Sequence, residues 1–160
     1  AIGQFYAYYE ENGQIAKSMV YAEVFRGTYV IQSEEYLLDG TPHSIENRAI
    51  VHQNSERGQK IAVYHGVQKE FYSDGTLAEV KNFNYGDLHG IYQVYYVNGI
   101  YGFSGYRYGL SVDARYDLGV LCGLYREYDM RGNVIKEINY KKCREKIPPP
   151  QERGMFPVDQ

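Results

Sequence analysis

The sequence has no tryptophan and, in 160 residues, only two cysteines, five prolines and three methionines. Two cysteines do not make a disulfide framework. No apolar run approaches the eighteen or so residues that a membrane-crossing helix needs. Neither sign of charge dominates: 17 Lys and Arg against 20 Asp and Glu leave a net charge of -3. The clustered basic surface that nucleic acid or an anionic membrane demands is therefore missing. Also missing are a Gly-x-Ser-x-Gly elbow and a phosphate-cradling Gly-x-x-x-x-Gly-Lys loop, and Ser104 and Ser111, though near glycines, have no assigned base. The adjacent acids Glu10-Glu11 and Glu34-Glu35 fall in or near turn signals, where solvation is their simplest role. Acid-base chemistry needs two carboxyls converging on one pocket with separated pKa values. These gaps weigh against an enzyme, and no cofactor or metal is expected.

What is present is tyrosine, 19 of them beside 6 Phe and 17 Gly, in a chain that is 44% hydrophobic. Rings with a hydroxyl tip suit a surface that stays half wet, as in a sheet one layer thick. Their arrangement is periodic. Gly90-Ile91-Tyr92-Gln93-Val94-Tyr95-Tyr96-Val97-Asn98-Gly99 is an aromatic and β-branched run closed by the dipeptide that best tolerates positive φ, which is a hairpin signal. The design recurs from Gly66 to Gly75 and from Gly123 to Gly132, with Phe71, Tyr95 and Tyr128 at one shared position. Phe83 and Tyr140 share another. The links into two of these copies also match: Gly86-Asp87-Leu88-His89-Gly90 and Gly119-Val120-Leu121-Cys122-Gly123. Internal periodicity of this length means stacked units, none of which buries its faces alone.

The expected fold is all-β: stacked antiparallel β-hairpin repeats forming an elongated, twisted, open sheet. A repeat domain over residues 1–147 has clear units near 3–21, 66–83, 90–108 and 123–140. The first carries one extra residue before its turn at Asn12-Gly13. A second repeat is placed at Gly27, with its turn lengthened by Ser33, Glu34 and Glu35, and residues 31–65 form an irregular insert. Tyr101, Phe103, Tyr106 and Tyr108 alternate with Gly102, Gly105 and Gly109, a strand-like pattern with bulges. Pro148-Pro149-Pro150 end any sheet, which makes residues 148–160 a proline-rich tail or extended arm. Alternation puts Val67, Phe71, Ile91, Tyr95, Leu124 and Tyr128 on one face and Gln68, Tyr72, Tyr92, Tyr96, Tyr125 and Asp129 on the other.

His65, His89 and Cys122 each precede a lead glycine and so form a column. Equivalent positions in successive hairpins lie roughly 10 Å apart, too far to share a metal ion. If the last hairpin turns at Arg131-Gly132, Cys122 faces position 141, which leaves Cys143 about two residues out of register and favours free thiols over a bridge. The start at Ala1 without methionine fits a processed precursor or a trimmed start, so the compartment is open between a bacterial cytoplasm and, after removal of a leader, the periplasm or cell surface.

A lead glycine, paired aromatics, Asn-Gly or Asp-Gly, an aliphatic residue and a later Tyr or Phe together resemble the bacterial MORN-variant repeat found in antitoxin-component proteins. The likeness covers most of residues 3–140 and is best over Gly66 to Tyr96 and Gly123 to Tyr140. The chain departs from the original MORN pattern, whose core carries a tryptophan. The resemblance implies a non-catalytic scaffold and an antitoxin or immunity role with a protein partner, which in that role is a toxin. Cross-strand pairing explains most of the rings. The functional expectation adds a partner that buries Tyr9, Tyr72, Tyr92, Tyr96 and Tyr125. End strands of the open sheet also offer self-association. The alternatives are a secreted or envelope-associated structural scaffold and, last, an enzyme.

Overall fold

The computed structural model describes residues 3–24, 28–53, 59–97, 109–146 and 155–157. They contain twelve strands: β1 (Gly3–Tyr8), β2 (Ile15–Val24), β3 (Thr28–Tyr36), β4 (Pro42–Gln53), β5 (Lys60–Tyr64), β6 (Gly66–Phe71), β7 (Leu77–Asn84), β8 (Asp87–Tyr95), β9 (Leu110–Asp117), β10 (Val120–Tyr128), β11 (Val134–Asn139) and β12 (Met155–Pro157). All pairings are antiparallel, and one open sheet runs β1-β2-β3-β4-β6-β7-β8-β9-β10-β11, with β5 and β12 both on β4. Among the described residues there is no helix, and hence none long and apolar enough to cross a membrane. The only buried apolar residues described are Ala49, Val51, Ala114 and Cys122. A layer this thin has little core, so its hairpins must hold one another by specific contacts along the sheet.

The glycine spacing of the sequence marks two kinds of bend. In the turns at 37–41, 72–76 and 129–133 the first residue's N–H donates to the fifth residue's carbonyl at 2.8 Å, and the glycine N–H donates back to the first carbonyl. Asp39, Asp74 and Asp129 brace these turns by accepting backbone N–H bonds at 2.8 to 2.9 Å, and Gly40, Gly75 and Gly132 take φ of 86°, 81° and 83°. The first hairpin closes from Tyr9 to Gln14, one residue longer, with Asn12 in the role of Asp. The lead glycines do something else. Gly66, Gly90 and Gly123 take φ of 87°, 95° and 66°, and the latter two sit where the ladder slips: five residues of β8, Leu88 to Tyr92, lie opposite three of β7, Lys81 to Phe83, and Cys122 to Arg126 lies opposite Asp113 to Arg115 in the same way. Each is a bulge that a side chain at positive φ would strain.

Consecutive hairpins meet at the two-residue turns Tyr85-Gly86 and Leu118-Gly119. All four residues have positive φ, 45° and 93° in the first and 48° and 84° in the second, as a type I′ turn requires. The histidine column explains how Tyr and Leu are tolerated there. Tyr85 N–H donates to His65 Nδ1 at 3.3 Å and Leu118 N–H to His89 Nδ1 at 3.4 Å. Gly86 and Gly119 donate to the carbonyls of Tyr64 and Leu88, one residue before each histidine. The residue ahead of each lead glycine therefore catches the far turn of its hairpin. In the third copy that residue is Cys122, and it is disulfide-bonded to Cys143 with Cα atoms 5.0 Å apart.

This bridge corrects the expectation of free thiols. The register was as expected, since Gly123 N–H donates to Lys141 O. The strand, however, ends at Asn139, and the chain bends back so that Cys143 returns to Cys122 and Arg144 reaches Asp117, Nε to Oδ2, at 2.7 Å. Three further expectations change. Ser33, Glu34 and Glu35 do not lengthen a turn: they are strand residues paired with Met19, Ser18 and Lys17. In the region 31–65, where residues 48–53 and 59–64 read as the strands of an irregular hairpin, β4 and β5 do pair from Arg48↔Tyr64 to His52↔Lys60, and β3 and β4 also run in register from Val30↔Ala49 to Tyr36↔Pro42, with a single slip before Tyr36. Its polar strands hid it, because both faces mix charge with apolar residues. Nor is the C-terminal segment only a tail, since Met155–Pro157 pairs with Val51 to Gln53 of β4. Gly27, the Asn98-Gly99 turn, the alternation of 101–108 and the three prolines lie outside the described residues.

The long strand β4 is where the array branches. Ser44 and Ile45 pair with β6, whereas Arg48 to His52 pair with β5. Between them Gln68 mimics a strand: its Oε1 accepts from Asn47 N–H and its Nε2 donates to Asn47 O, both at 2.7 Å. That bonding accounts for a glutamine being buried at 7% exposure where the other units carry an aromatic ring.

Two stability measurements test this account. A Cβ built on Gly90 lies 2.9 Å from Asn82 Nδ2 at φ +95°, so Gly90→Ala is expected to lower the urea-unfolding free energy by about 2 kcal/mol or more. Cys143→Ser opens a link of sequence separation 21 and is expected to cost about 2 to 4 kcal/mol, matched by reductant on the parent chain.

Candidate interaction face

Directly opposed residues share a face, and the registers trace one row across the whole array. Ala7, Lys17, Glu35, Ser44, Glu70, Glu79, Val94, Val112, Glu127 and Lys136 are successive cross-strand partners from β1 to β11. The next row on the same face includes Phe5, Met19, Ser33 and Glu46, then Gln68, Lys81, Tyr92 and Ala114, then Tyr125 and Ile138. Carboxylates and lysines thus run beside rings along one side of the sheet.

The rings form diagonal edge-to-face pairs, Phe5 with Tyr21, Tyr92 with Tyr116 and Tyr125 with Tyr140, at centroid separations of 5.6, 5.7 and 6.4 Å. Each pair is worth about 0.5 to 1.5 kcal/mol beyond its buried area. Tyr140 is the late aromatic of the repeat, and its counterpart Phe83 meets Tyr64 at 5.2 Å. The sequence signal for these partners was present, but their pairing required the register.

The five candidate tyrosines fall into two sets. Tyr9, Tyr72 and Tyr96 close the strands before the turns, and each hydroxyl donates to a carbonyl of the following hairpin: Tyr9 to Tyr36 O and Tyr72 to Tyr95 O, both at 2.7 Å, and Tyr96 to Tyr128 O. Their tips are committed to holding the array together. Tyr92 and Tyr125 instead meet carboxylates of their own face. Tyr125 Oη donates to Glu127 Oε1 at 2.7 Å, and Glu127 also binds Lys136 at 2.9 Å, whose Nζ lies 5.5 Å from the Tyr125 ring centre. Tyr92 lies close enough to Glu79 for the carboxylate to raise its pKa, and Glu79 binds Lys81. A Tyr-Glu-Lys set, absent from the sequence motifs as read, therefore occurs twice.

These surroundings hold both phenols protonated. For Tyr92 burial comes first and Glu79 second, and its pKa is pushed up to about 12. For Tyr125 the Glu127 bond leads and burial follows, with the same result of about 12. Lys136 and Tyr125 in turn hold Glu127 below the usual carboxylate range. Among the described residues no group of three or more His, Cys, Asp or Glu side chains converges to hold a metal; His65 and His89 point to turns, and Cys122 is bridged.

A known repeat has this outline. The family model for the MORN repeat variant matches residues 64–85 and 121–142. Both matches begin two residues before a lead glycine, so each MORN-variant unit takes in the entry residue, the bulge, the hairpin and the site where the far turn is caught. No curated protein and no solved structure matches the chain. MORN repeats generally mediate interactions with proteins or membranes and are generally non-enzymatic.

The raised phenol pKa values set a pH dependence. A group with a folded pKa above its unfolded value contributes stability that is complete below the unfolded pKa and is lost as pH rises through the folded one. Between the ordinary 10.0 and about 12 for Tyr92 and Tyr125, the protein is expected to lose stability progressively. Urea titrations across that window should show the loss, and Tyr125→Phe should reduce it.

Proposed function

We propose that this chain is a non-enzymatic recognition module that binds another protein through the aromatic and acidic face centred on Tyr92 and Tyr125. The observation that carries this reading is the division among the tyrosines: three hydroxyls join hairpins, whereas Tyr92 and Tyr125 sit half-buried in Tyr-Glu-Lys sets on the face itself. Rigid rings with polar tips, ringed by ion pairs, are the composition of an interface core within a polar rim. The sharper form is an antitoxin or immunity protein whose partner is a toxin, an idea that rests on the repeat's resemblance.

A second reading, an exported scaffold at the cell envelope or surface, is favoured by one observation. The Cys122–Cys143 bridge closes the last unit and is reinforced by Arg144 on Asp117, and structural disulfides persist in oxidising compartments. The two readings are compatible where an immunity protein acts outside the cytoplasm.

Tagged protein, with its bridge intact, is used to capture partners from its own source, and any stoichiometric partner is expressed alone to score toxicity. Tyr92→Ser with Tyr125→Ser is expected to weaken that partner by about 100-fold, the scale of a hot-spot loss. Tyr72→Phe is expected to cost about 1 kcal/mol of stability and leave binding unchanged. Equal loss of binding in both variants would place the effect in folding and overturn the assignment of the face.

A further inference from the structure

Where β4 parts from β6 to take up β5, the face opens into a trough of about 510 Å³, within the range of small-ligand sites. One wall is aromatic: Tyr64 and Phe83 line it with their rings 5.2 Å apart, and Tyr72 stands at the far end. The rim is ionic, and every carboxylate on it already has a cation. Glu35 binds Lys17 at 2.7 Å, Glu46 binds Arg48 at 2.8 Å, and Glu70 lies 3.6 Å from Lys81, which also binds Glu79.

Lys69 lines the trough as well, so four cations stand against Glu35, Glu46, Glu70 and Glu79, and an ion meets no net charge there. A bound peptide strand fits no better, because the peptide groups of Asn47 at the break are taken by Gln68 and by His65 N–H, and strand addition needs such groups unpaired. What remains is a ring wall beside paired donors and acceptors. A sugar hydroxyl both donates and accepts, so vicinal hydroxyls match an ammonium next to a carboxylate, and the C–H face of a pyranose is apolar enough to lie on an aromatic ring.

We propose that this trough binds a neutral saccharide, one pyranose ring stacked on Phe83 beside Tyr64, whose own ring carries the Arg48 guanidinium at 4.9 Å, and its hydroxyls spanning the ion pairs of Glu46 and Glu70. The site runs across β3, β4, β6 and β7, three strand spacings or roughly 14 Å, which suits a short oligosaccharide over a single sugar. It shares Lys81 with the surroundings of Tyr92, while its rings and its own carboxylates are separate from Tyr92 and Tyr125, and it goes beyond the protein-binding reading.

The test is a titration of the full, disulfide-bonded chain with cellotetraose, maltotetraose and tetra-N-acetylchitotetraose, followed by NMR shifts of amide and aromatic protons. At least one tetrasaccharide is expected to move the signals of Tyr64, Glu70 and Phe83 saturably at millimolar concentration, with an affinity that does not change on adding salt. Glu70→Gln is expected to weaken it about threefold and Phe83→Ala about tenfold. Should Phe83→Ala fail to fold, Lys81→Met serves in its place, with the same tenfold expectation. Glu137→Gln, on the far strand, leaves it unchanged. Saturable shifts with none of the three sugars overturn the proposal, as does tighter, salt-sensitive binding of a lysine-rich peptide or of an oligogalacturonate.

Discussion

The hydrogen bond from a tyrosine hydroxyl at the end of one hairpin to a backbone carbonyl of the next is the contact on which this architecture depends. A sheet with so few buried apolar residues gains little from a core. The hairpins must be fixed by specific contacts, and these lie at two places. At one, Tyr9, Tyr72 and Tyr96 reach forward. At the other, His65, His89 and Cys122 catch the turn or chain end that returns towards them. A buried carbonyl left without its donor costs about 1 to 3 kcal/mol, so each clasp matters more than its net bond energy suggests.

The clasp separates structural from available tyrosines, a distinction that composition does not make. Tyrosine at the strand end has its polar tip inside the array. Tyrosine two residues after the lead glycine has its tip among carboxylates on the open face. Gln68 departs from that second pattern, and the departure coincides with the branch at β4 and with the trough beside it.

Much of this was legible in the residues. Lead glycines, turn glycines and the extra residue at Asn12-Gly13 were read from spacing, because positive φ leaves few residue types to choose from. The histidine column was also visible, but its role was not, since a bond from Nδ1 to a turn twenty or more residues away needs the register. Residues 31–65 are obscured by Glu34, Glu35, Glu46 and Arg48, whose charges sit on strands instead of marking loops, Glu35 paired across to Lys17 and Glu46 along β4 with Arg48. Cys143 escapes a reading by strand register because the strand ends at Asn139 and the chain bends there. Of the face, the rings could be named in advance. Their sorting into clasps and surface sets could not, because a bulge of two residues redirects everything beyond it.

The Tyr clasps all point the same way along the chain. Tyr9, Tyr72 and Tyr96 each hold the hairpin that follows, whereas the equivalent position of the last unit is Asp129, whose carboxylate is spent on its own turn. The clasps thus share one direction, and they are missing where Leu37 and Asp129 hold the same turn position. New length is readily gained by duplicating an internal segment, which brings its own forward-reaching tyrosine and receiving carbonyl. A copy joined after the bridged unit would find no tyrosine waiting for it. Growth by internal duplication, with the final hairpin kept as a fixed end piece, is the route this geometry leaves open to evolution and to an engineer alike.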